Sequence, residues 1–311
     1  MKPRSAGHLH VRPQNPDMAD LRAYVANCLM GGHSITQTAD SWTRDTVEFS
    51  CAGQEFRFVQ NAGVVGGQWQ QLTGSFSETS EVLVYGVNAI EVTKSLEVID
   101  RICWLLSLAG LSRVVRYGHD YPDGSSLGSR QSSSGTANYF RPTIDIRDGV
   151  AVKSFIEQVY PNYARLENVR KLNVVIDYLA QAERQNQSME LKLILLFVVL
   201  ENLKDTYARA RGIPYIKGFF RKQPRPNGQK FGFEELLQMM FREVRLRTGL
   251  KRVVRLRNEI IHSDLSRHPH GVQWAMYEII FGLIQKYLLR TIGYTGLYLP
   301  YSLGGNAHVA V

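Results

Sequence analysis

Arg257 and His262 are the two residues of this sequence whose types and spacing best support chemistry. They lie five positions apart in the segment RNEIIH. A histidine takes up or gives a proton near neutral pH, because its ordinary pKa is about 6.5. An arginine holds a phosphate through two parallel hydrogen bonds and stabilises charge that develops on it. Since RNA carries its own nucleophile, the 2′-OH group, such a pair would suffice to cleave an RNA backbone without a metal ion.

Arg257 falls on the apolar face of a helix predicted over residues 250–262. At about 100° per residue, Val253 and Ile260 lie on one apolar stripe, and Arg257 lies inside that stripe at about 40° from Val253. A guanidinium stays charged, and an unpaired buried charge is very unfavourable. Arg257 must therefore meet a carboxylate or an anionic ligand, and Glu201 is the candidate carboxylate. A purely structural Arg257–Glu201 ion pair is the alternative to a phosphate-binding role.

His262 follows Arg257 by about 140° around an ideal helix, so the two side chains would not share one face. Either the helix ends near His262, or a second copy of the chain supplies its own pair across an interface. The predicted helix over residues 272–292 supports a homodimer, because its apolar residues cover most of its circumference. A helix that is apolar on every side is buried in a core or in an oligomer interface.

Basic residues are concentrated just ahead of His262. Between Lys217 and Arg257 there are twelve Lys and Arg residues and three Glu residues, so the local excess of +9 equals the formal net charge of the whole chain. Clustered cations favour a polyphosphate partner such as nucleic acid. The predicted RNA-binding residues are Arg247, Lys251, Arg252 and Arg255. The alternative is a solvated helix face beside a flexible basic loop.

Two regions of different pattern must position these residues. Residues 1–150 show alternating apolar and polar positions, including a hairpin at 46–59 around Ala52-Gly53-Gln54, a strand at 81–87, a helix at 91–111 and a possible strand at Phe140–Ile146. From residue 152 the period is helical. Helices are predicted at 152–159, 162–185, 189–210, 233–247, 250–262 and 272–292, with Pro161 separating the first two.

The fold class predicted from this division is α+β. It comprises a strand-rich N-terminal domain at 1–150, an all-helical domain at 151–295 and a loose tail at 296–311. The sequence is 44% hydrophobic and 21% charged, which is typical of a packed globular protein. The role of the N-terminal domain is open: it would sense a trigger, select the substrate or regulate the helical domain.

Several classes of protein are disfavoured by composition. Cys28, Cys51 and Cys103 are sparse and form no CxxC pair, which argues against a disulfide framework and a zinc site, so no cofactor or metal is predicted. The longest apolar run, Leu193–Leu200, is much shorter than the roughly 20 residues of a membrane span. The basic, polar start has no apolar core of a secretory signal. We therefore expect a cytoplasmic protein that does not associate with membranes.

The segment VVRLRNEIIHSD resembles the R-x(4–6)-H signature of HEPN domains, and it looks most like the ApeA-type branch of that family. The order of elements agrees: a buried helix ending at LENLK, a basic loop, the signature helix and a long final helix. The likeness covers residues 150–295, and the stretch LLSLAGLSRVVRYG is also reminiscent of that branch.

The resemblance implies a metal-independent endoribonuclease that pairs two HEPN domains over one groove and leaves a 2′,3′-cyclic phosphate and a 5′-OH. Arg257 would stabilise the phosphate, His262 would be the acid and base, Asn258 would hydrogen-bond the phosphate or orient His262, and Glu201 would position Arg257. Many relatives cut tRNA or other RNA in bacterial antiviral defence, abortive infection or toxin systems. A phage-derived trigger or a regulatory protein is a further partner that the resemblance implies.

Two other classes of function remain open on the sequence. A non-catalytic module would use the same basic face to hold RNA or DNA and leave it whole. A structural partner or antitoxin-like protein would dock another chain on the helix at 272–292 and would have no affinity for nucleic acid.

Overall fold

The fold begins with an antiparallel sheet and continues with helices. A computed structural model describes residues 18–37, 42–61, 64, 72, 74–122, 127–128, 141–263, 268–301 and 307–311. Within these residues the sheet comes first, and helices dominate after residue 148. The predicted fold class, α+β, is therefore confirmed.

The sheet has seven strands in the order β2-β3-β4-β5-β1-β6-β7, and every neighbouring pair is antiparallel. The strands are β1 (Met18–Ala26), β2 (Ser34–Gln37), β3 (Trp42–Cys51), β4 (Gln54–Gln60), β5 (Glu78–Asn88), β6 (Val115–Asp120) and β7 (Leu127–Gly128). Ala52 and Gly53 join β3 to β4 with φ of 53° and 78°, as a type I′ turn requires. The predicted hairpin is confirmed, and β5 contains the predicted strand at 81–87.

One face of this sheet is covered by helices. Buried and exposed residues alternate along β4, where Phe56 and Phe58 point into the core. Helix α1 (Val92–Gly110) packs against β1, β5 and β6, and it confirms the predicted helix at 91–111. Helix α2 (Gly149–Arg170) packs against β3. The sheet and the helices thereby share one continuous hydrophobic core.

The remaining elements are mostly helical. They are α3 (Leu172–Ala182), α4 (Met189–Ala210), α5 (Phe233–Glu243), α6 (Lys251–Ser263) and α7 (His270–Thr291). Two short ladders interrupt the all-helical region that the sequence predicts: β8 (Tyr215–Ile216) with β9 (Phe219–Phe220), and β10 (Leu297–Tyr298) with β11 (Val309–Ala310). The predicted bounds of α4 are confirmed, whereas α5 ends four residues before the predicted 247, because Arg245 adopts a φ of 58°.

The predicted helix break at Pro161 is wrong. Helix α2 runs through Pro161 and ends at Arg170; the next residue, Lys171, has a left-handed φ of 48° and separates α2 from α3. A proline inside a helix removes one backbone hydrogen bond. Phe155 and Ile156 before it and Tyr163 after it are fully buried, so packing on both sides fixes the helix despite that loss.

Two predictions about irregular segments also need correction. The strand suggested at Phe140–Ile146 is absent over the described residues 141–146, although Ile144 and Ile146 are buried; Phe140 lies outside the described residues. The tail at 296–311, predicted to be loose, instead contains the β10–β11 ladder, and Tyr298 and Tyr301 are buried. The Leu299 N–H donates to the Thr143 carbonyl at 2.8 Å, so the two segments hold each other.

A buried polar cluster links α3, α4 and α7. The Tyr277 hydroxyl donates to the Glu183 carboxylate at 2.5 Å. Burial raises the pKa of Glu183, and the Tyr277 hydrogen bond and the nearby Lys192 ammonium oppose that rise only in part. Burial likewise lowers the pKa of Lys192. This cluster is structural, because it faces the core on the side of α4 away from Glu201.

The sheet region and the helical region contact each other backbone to backbone near Gly31 and Gly149. The Gly31 N–H donates to the Ile146 carbonyl at 2.6 Å. A Cβ atom at Gly31 would overlap the Arg147 carbonyl, and one at Gly149 would lie 2.5 Å from the His33 nitrogen. Only glycine fits at both positions. The junction is therefore a close-packed crossing just before α2.

The three cysteines are free thiols in the core. Cys28, Cys51 and Cys103 are all buried, and burial raises the pKa of Cys28 to about 12. Among the described residues, no helix combines the length and the apolar character needed to cross a bilayer.

Candidate functional site

Helix α6 positions Arg257 at the edge of the core. Val253, Leu256 and Ile260 are buried and fix the inner face of α6 against α4 and α5. Arg257 lies beside this face, and its side chain is 21% exposed. The guanidinium is therefore partly desolvated and still open to solvent on one side, as expected from its place on the apolar stripe.

The Arg257 side chain contacts three groups. Its Nη2 donates to Glu201 Oε1 at 2.5 Å, so the ion pair predicted from the sequence is present. Its Nη1 donates to Asn258 Oδ1 at 3.0 Å. The guanidinium carbon lies 4.5 Å from the ring centroid of Phe233, at the start of α5. These contacts hold the guanidinium plane in one orientation.

Glu201 is shared between two cations. Lys204, one turn further along α4, donates from Nζ to Glu201 Oε2 at 2.5 Å. In the described part of the chain, Glu201 is the only carboxylate within ion-pair distance of Arg257 or Lys204. The three side chains are between 16% and 33% exposed. One carboxylate thus balances two cations, and the cluster keeps one uncompensated positive charge.

Two buried polar atoms in this region have no hydrogen-bond partner among the described residues: Arg257 Nε, a donor, and Asn202 Oδ1, an acceptor. Buried polar groups are paired in most proteins, so each unpaired group calls for an explanation. Asn202 lies on α4 next to Glu201, and both residues line a groove that is described below. A bound polar ligand would satisfy atoms of this kind.

His262 is the second-last residue of α6, which ends at Ser263. The prediction that the helix ends near His262 is confirmed. The side chain of His262 lies outside the described part of the structure. The backbone alone therefore places the predicted acid and base in the last turn of the helix that carries Arg257.

The four predicted RNA-binding residues lie on α6 or just before it. Lys251, Arg252 and Arg255 are exposed on α6, and Arg247 is exposed in the segment before it. Within the described residues, none of the four forms an ion pair. Other residues of the basic cluster have structural roles: Arg221 is buried and donates to the Gly228 carbonyl at 2.8 Å. The predicted charge concentration is therefore only partly available to a ligand.

A groove of about 540 Å³ opens beside Glu201. Its walls are α4, the start of α5 and the β8–β9 hairpin. Five aromatic side chains line these walls beside polar and charged ones: Tyr215, Phe219, Phe220, Phe231 and Phe233. The sequence analysis assigned this region to a basic loop and missed the hairpin. The signal was present, since Lys217-Gly218 between β-forming residues is typical of a two-residue hairpin turn.

A metal site is not formed by the described residues, which contain no group of three or more His, Cys, Asp or Glu side chains close enough to hold an ion. Glu201 is a single carboxylate with two cationic neighbours, the Arg257 guanidinium and the Lys204 ammonium. These cations would compete with a metal ion for its oxygens. The side chains available for chemistry here are those of arginine, lysine and asparagine, and His262 follows in the last turn of the same helix as Arg257.

No protein-family model, curated protein or solved structure matches this chain. The residues and contacts around Arg257 therefore have to support any functional proposal by themselves.

Proposed function

We propose that this protein is a HEPN-type endoribonuclease that cleaves RNA with Arg257 and His262. The observation that supports it most directly is the charge imbalance at Glu201, where one carboxylate faces the Arg257 guanidinium and the Lys204 ammonium. A partly exposed cation that is held in one orientation and lacks a full counter-charge is suited to a phosphate. A purely structural ion pair would need only one cation.

The proposed reaction is a transesterification within the RNA backbone. The base, His262 of one subunit, takes the proton of the 2′-OH, and the 2′ oxygen forms a bond to phosphorus. The bond from phosphorus to the 5′ oxygen breaks, and the acid, His262 of the partner subunit, gives its proton to that oxygen. The products are a 2′,3′-cyclic phosphate and a 5′-OH. Arg257 stabilises the charge on the non-bridging oxygens, and Asn258 supports the same phosphate or orients His262.

A homodimer would complete this site. Helix α7, on which the sequence analysis based the dimer, buries most of its apolar residues in the core of its own chain, and α4 offers an exposed face instead. Leu191, Ile194 and Val198 remain exposed at helical spacing on one side of α4. The same face continues to Glu201, and Val198 lines the groove. A second copy that packs on this stripe would place its own α6 near the first. We propose the dimer on these grounds.

The wider role follows from the resemblance to HEPN proteins. We propose a cytoplasmic ribonuclease of bacterial antiviral defence or toxin-type growth arrest, with tRNA as a candidate substrate and with a phage-derived trigger or regulatory protein as a candidate partner. Lys251, Arg252, Arg255 and Arg247 would contact phosphates beside the cleavage position. Their exposure and lack of ion pairs support this role.

Cleavage of RNA by the full-length protein tests the proposal. The parent chain is incubated with tRNA and a labelled RNA in the presence of EDTA, and the products are examined for a cyclic phosphate. A 2′-deoxy nucleotide at the cleaved position should abolish cleavage there. His262→Ala should lower the rate by roughly 10²–10⁴-fold, the usual contribution of general acid–base catalysis. His308→Ala is the control, since His308 is an exposed histidine of the C-terminal segment.

A non-catalytic binding module is the second candidate, and one observation favours it: Arg257 already has Glu201 and Asn258 as partners. In that case RNA would bind with a steep salt dependence and stay whole, and His262→Ala would behave like the parent. If the parent cuts no RNA under any activating condition, or if His262→Ala cuts as fast as the parent, the ribonuclease proposal fails.

A further inference from the structure

The β8–β9 hairpin is built to project aromatic rings. Its turn consists of Lys217 and Gly218, with φ of 51° and 80°, so it is a two-residue type I′ turn. Phe220 is buried and anchors the hairpin on α4 and α5. Tyr215 and Phe219 are instead 49% and 47% exposed. The hairpin is therefore fixed at its base and presents two rings to solvent.

A cation lies over each of these exposed rings. The Lys230 ammonium is 3.4 Å from the Phe219 centroid, and the Arg209 guanidinium carbon is 4.7 Å from the Tyr215 centroid. Aromatic rings beside flexible cations are a recurrent arrangement where a protein stacks bases and neutralises phosphates. Tyr215 packs on its cross-strand partner Phe220, with ring centroids 4.9 Å apart, and this contact stabilises the hairpin. About half of the Tyr215 side chain and half of the Phe219 side chain nevertheless stay open to solvent.

The same pairing continues along the groove towards Arg257. Lys204 Nζ lies 5.3 Å from the Phe233 centroid, whereas Lys222, 5.4 Å from the Phe231 centroid, is paired with Glu235. Phe233 also carries the Arg257 guanidinium on its ring. The rings therefore form a series along the groove from Tyr215 and Phe219 to Phe233, beside the Arg257–Glu201 pair. The groove volume, about 540 Å³, is within the range of roughly 300–1,000 Å³ that is common for ligand sites.

We propose that this series, the aromatic groove, binds unpaired RNA nucleotides by stacking their bases on Tyr215 and Phe219, and that it leads the strand to the phosphate held by Arg257. The inference deepens the proposed function and rests on it for the position of the scissile phosphate. A duplex would not fit this chemistry, because its bases are already stacked on one another and its edges alone are accessible. An acidic peptide would use the cations and leave the rings without a role.

Binding of defined RNA probes tests the inference. Full-length protein carrying His262→Ala is titrated against a fluorescein-labelled single-stranded RNA, the same sequence as a duplex, and a single strand with abasic sites. We expect the single strand to bind at least tenfold more tightly than the duplex or the abasic strand. In the same background, Tyr215→Ala or Phe219→Ala should each weaken binding of the intact single strand by roughly 5- to 100-fold.

Matched variants separate stacking from other effects. Phe219→Trp should bind as well as Phe219 or better, whereas Phe219→Leu should bind like Phe219→Ala, because leucine keeps the apolar volume and loses the flat ring. Tyr85→Ala is the control, since Tyr85 is an exposed tyrosine of β5 with 45% exposure. Circular dichroism and thermal unfolding establish that each variant is folded. Loss of either ring should leave the abasic strand bound as before.

The results distinguish this inference from the ribonuclease proposal. If the parent protein cuts RNA but Phe219→Ala and Phe219→Leu bind and cut like the parent, the aromatic groove fails as a base-binding site while the nuclease stands. If no cleavage is found but the ring variants selectively lose single-stranded RNA, the groove stands and the nuclease fails. Equal binding of single strand, duplex and abasic strand, or no binding at all, overturns the groove.

Discussion

Replacing Glu201 by glutamine removes the one carboxylate that Arg257 and Lys204 share, while the size of the side chain stays the same. Both contacts to this carboxylate are 2.5 Å long. Its removal leaves two cations facing each other, and only a neutral amide oxygen between them. We therefore expect Glu201→Gln to change both the stability of the fold and the orientation of the Arg257 guanidinium.

The size of the stability effect follows from burial. An exposed ion pair contributes about 0–1 kcal/mol, and removing one partner from a fully buried pair costs about 3–5 kcal/mol. The Glu201 side chain is 33% exposed, and those of Arg257 and Lys204 are 21% and 16% exposed. The free energy of unfolding should fall between these limits, by about 1–3 kcal/mol, which corresponds to a decrease in Tm of roughly 2–5 °C for a chain of 311 residues.

Glu201→Gln should lower the rate of RNA cleavage without weakening RNA binding. Loss of a negative charge beside the proposed phosphate site should leave RNA affinity unchanged or raise it. The single-turnover cleavage rate should fall by roughly 10- to 100-fold, because a misplaced catalytic group loses rate even when the substrate binds. Thermal unfolding, fluorescence anisotropy and single-turnover cleavage measure the three quantities on the same protein.

Glu243→Gln is the matched control for Glu201→Gln. It makes the same change at a carboxylate of α5 outside the groove, and its ion pair with Arg211 is exposed. The control should show the parental Tm and the parental cleavage rate. If Glu201→Gln melts and cuts like the parent, the carboxylate does not hold Arg257 in a functional orientation. If both variants lose the same rate, the effect is one of general charge.

Three further predictions follow from other parts of the structure. Burial raises the pKa of Glu183 above its usual 4.5, so the folded state keeps a proton that the unfolded chain has lost. The free energy of unfolding should therefore fall as pH rises from 4.5 through the raised pKa. Glu183→Gln should remove that fall in a series of denaturant titrations at different pH values. Ile194→Glu should weaken the proposed dimer at least roughly 30-fold and reduce cleavage with it, since an unpaired carboxylate is strongly disfavoured in an interface. Val169→Glu on α2 is the control and should change neither the dimer, measured by light scattering, nor cleavage. A monomeric parent would contradict this prediction. Arg252→Ala and Arg255→Ala should each lower the slope of log Kd against log salt concentration for single-stranded RNA by about 0.7. The cleaved position in the RNA should stay the same. Unaltered slopes would show that neither residue contacts a phosphate.

Much of the fold follows from local patterns. The β3–β4 hairpin was predictable because Ala52 and Gly53 separate two alternating segments, and α4 because Ser188 and Gly212 flank a helical period. The Arg257–Glu201 pair was predictable for a related reason. A charge on the apolar stripe of α6 needs a partner in the core, and Glu201 directly follows the longest apolar run of the chain, Leu193–Leu200.

The errors arise where tertiary contacts override local signals. Pro161 would end an isolated helix, but burial of its neighbours keeps α2 intact. Ile144 and Ile146 alternate like a strand and are buried, yet within the described residues this segment forms no ladder with a neighbouring strand. β1 and β6 carry weak patterns of their own, and they become strands by pairing with β5 and with each other. No local rule contains this information.

The site was only half predictable for the same reason. The cations of the basic segment were visible as a charge count, but their distribution was not. Arg221 lies inside the loop that it stabilises, and Lys222 pairs with Glu235, so neither is free for a phosphate. Conversely, the exposed rings of Tyr215 and Phe219 could be recognised as a surface feature only once the hairpin placed them there.

The glycine crossing between Gly31 and Gly149 determines how the front half could influence the back half. Over the described residues, backbone near Gly31 lies directly against backbone at the start of α2, and α2 starts within the crossing itself. A displacement of the sheet at this point would therefore be transmitted directly to α2. Excising residues 151–295 for separate study would uncover Val152, Phe155 and Ile156, which are wholly buried, so we expect such a fragment to aggregate.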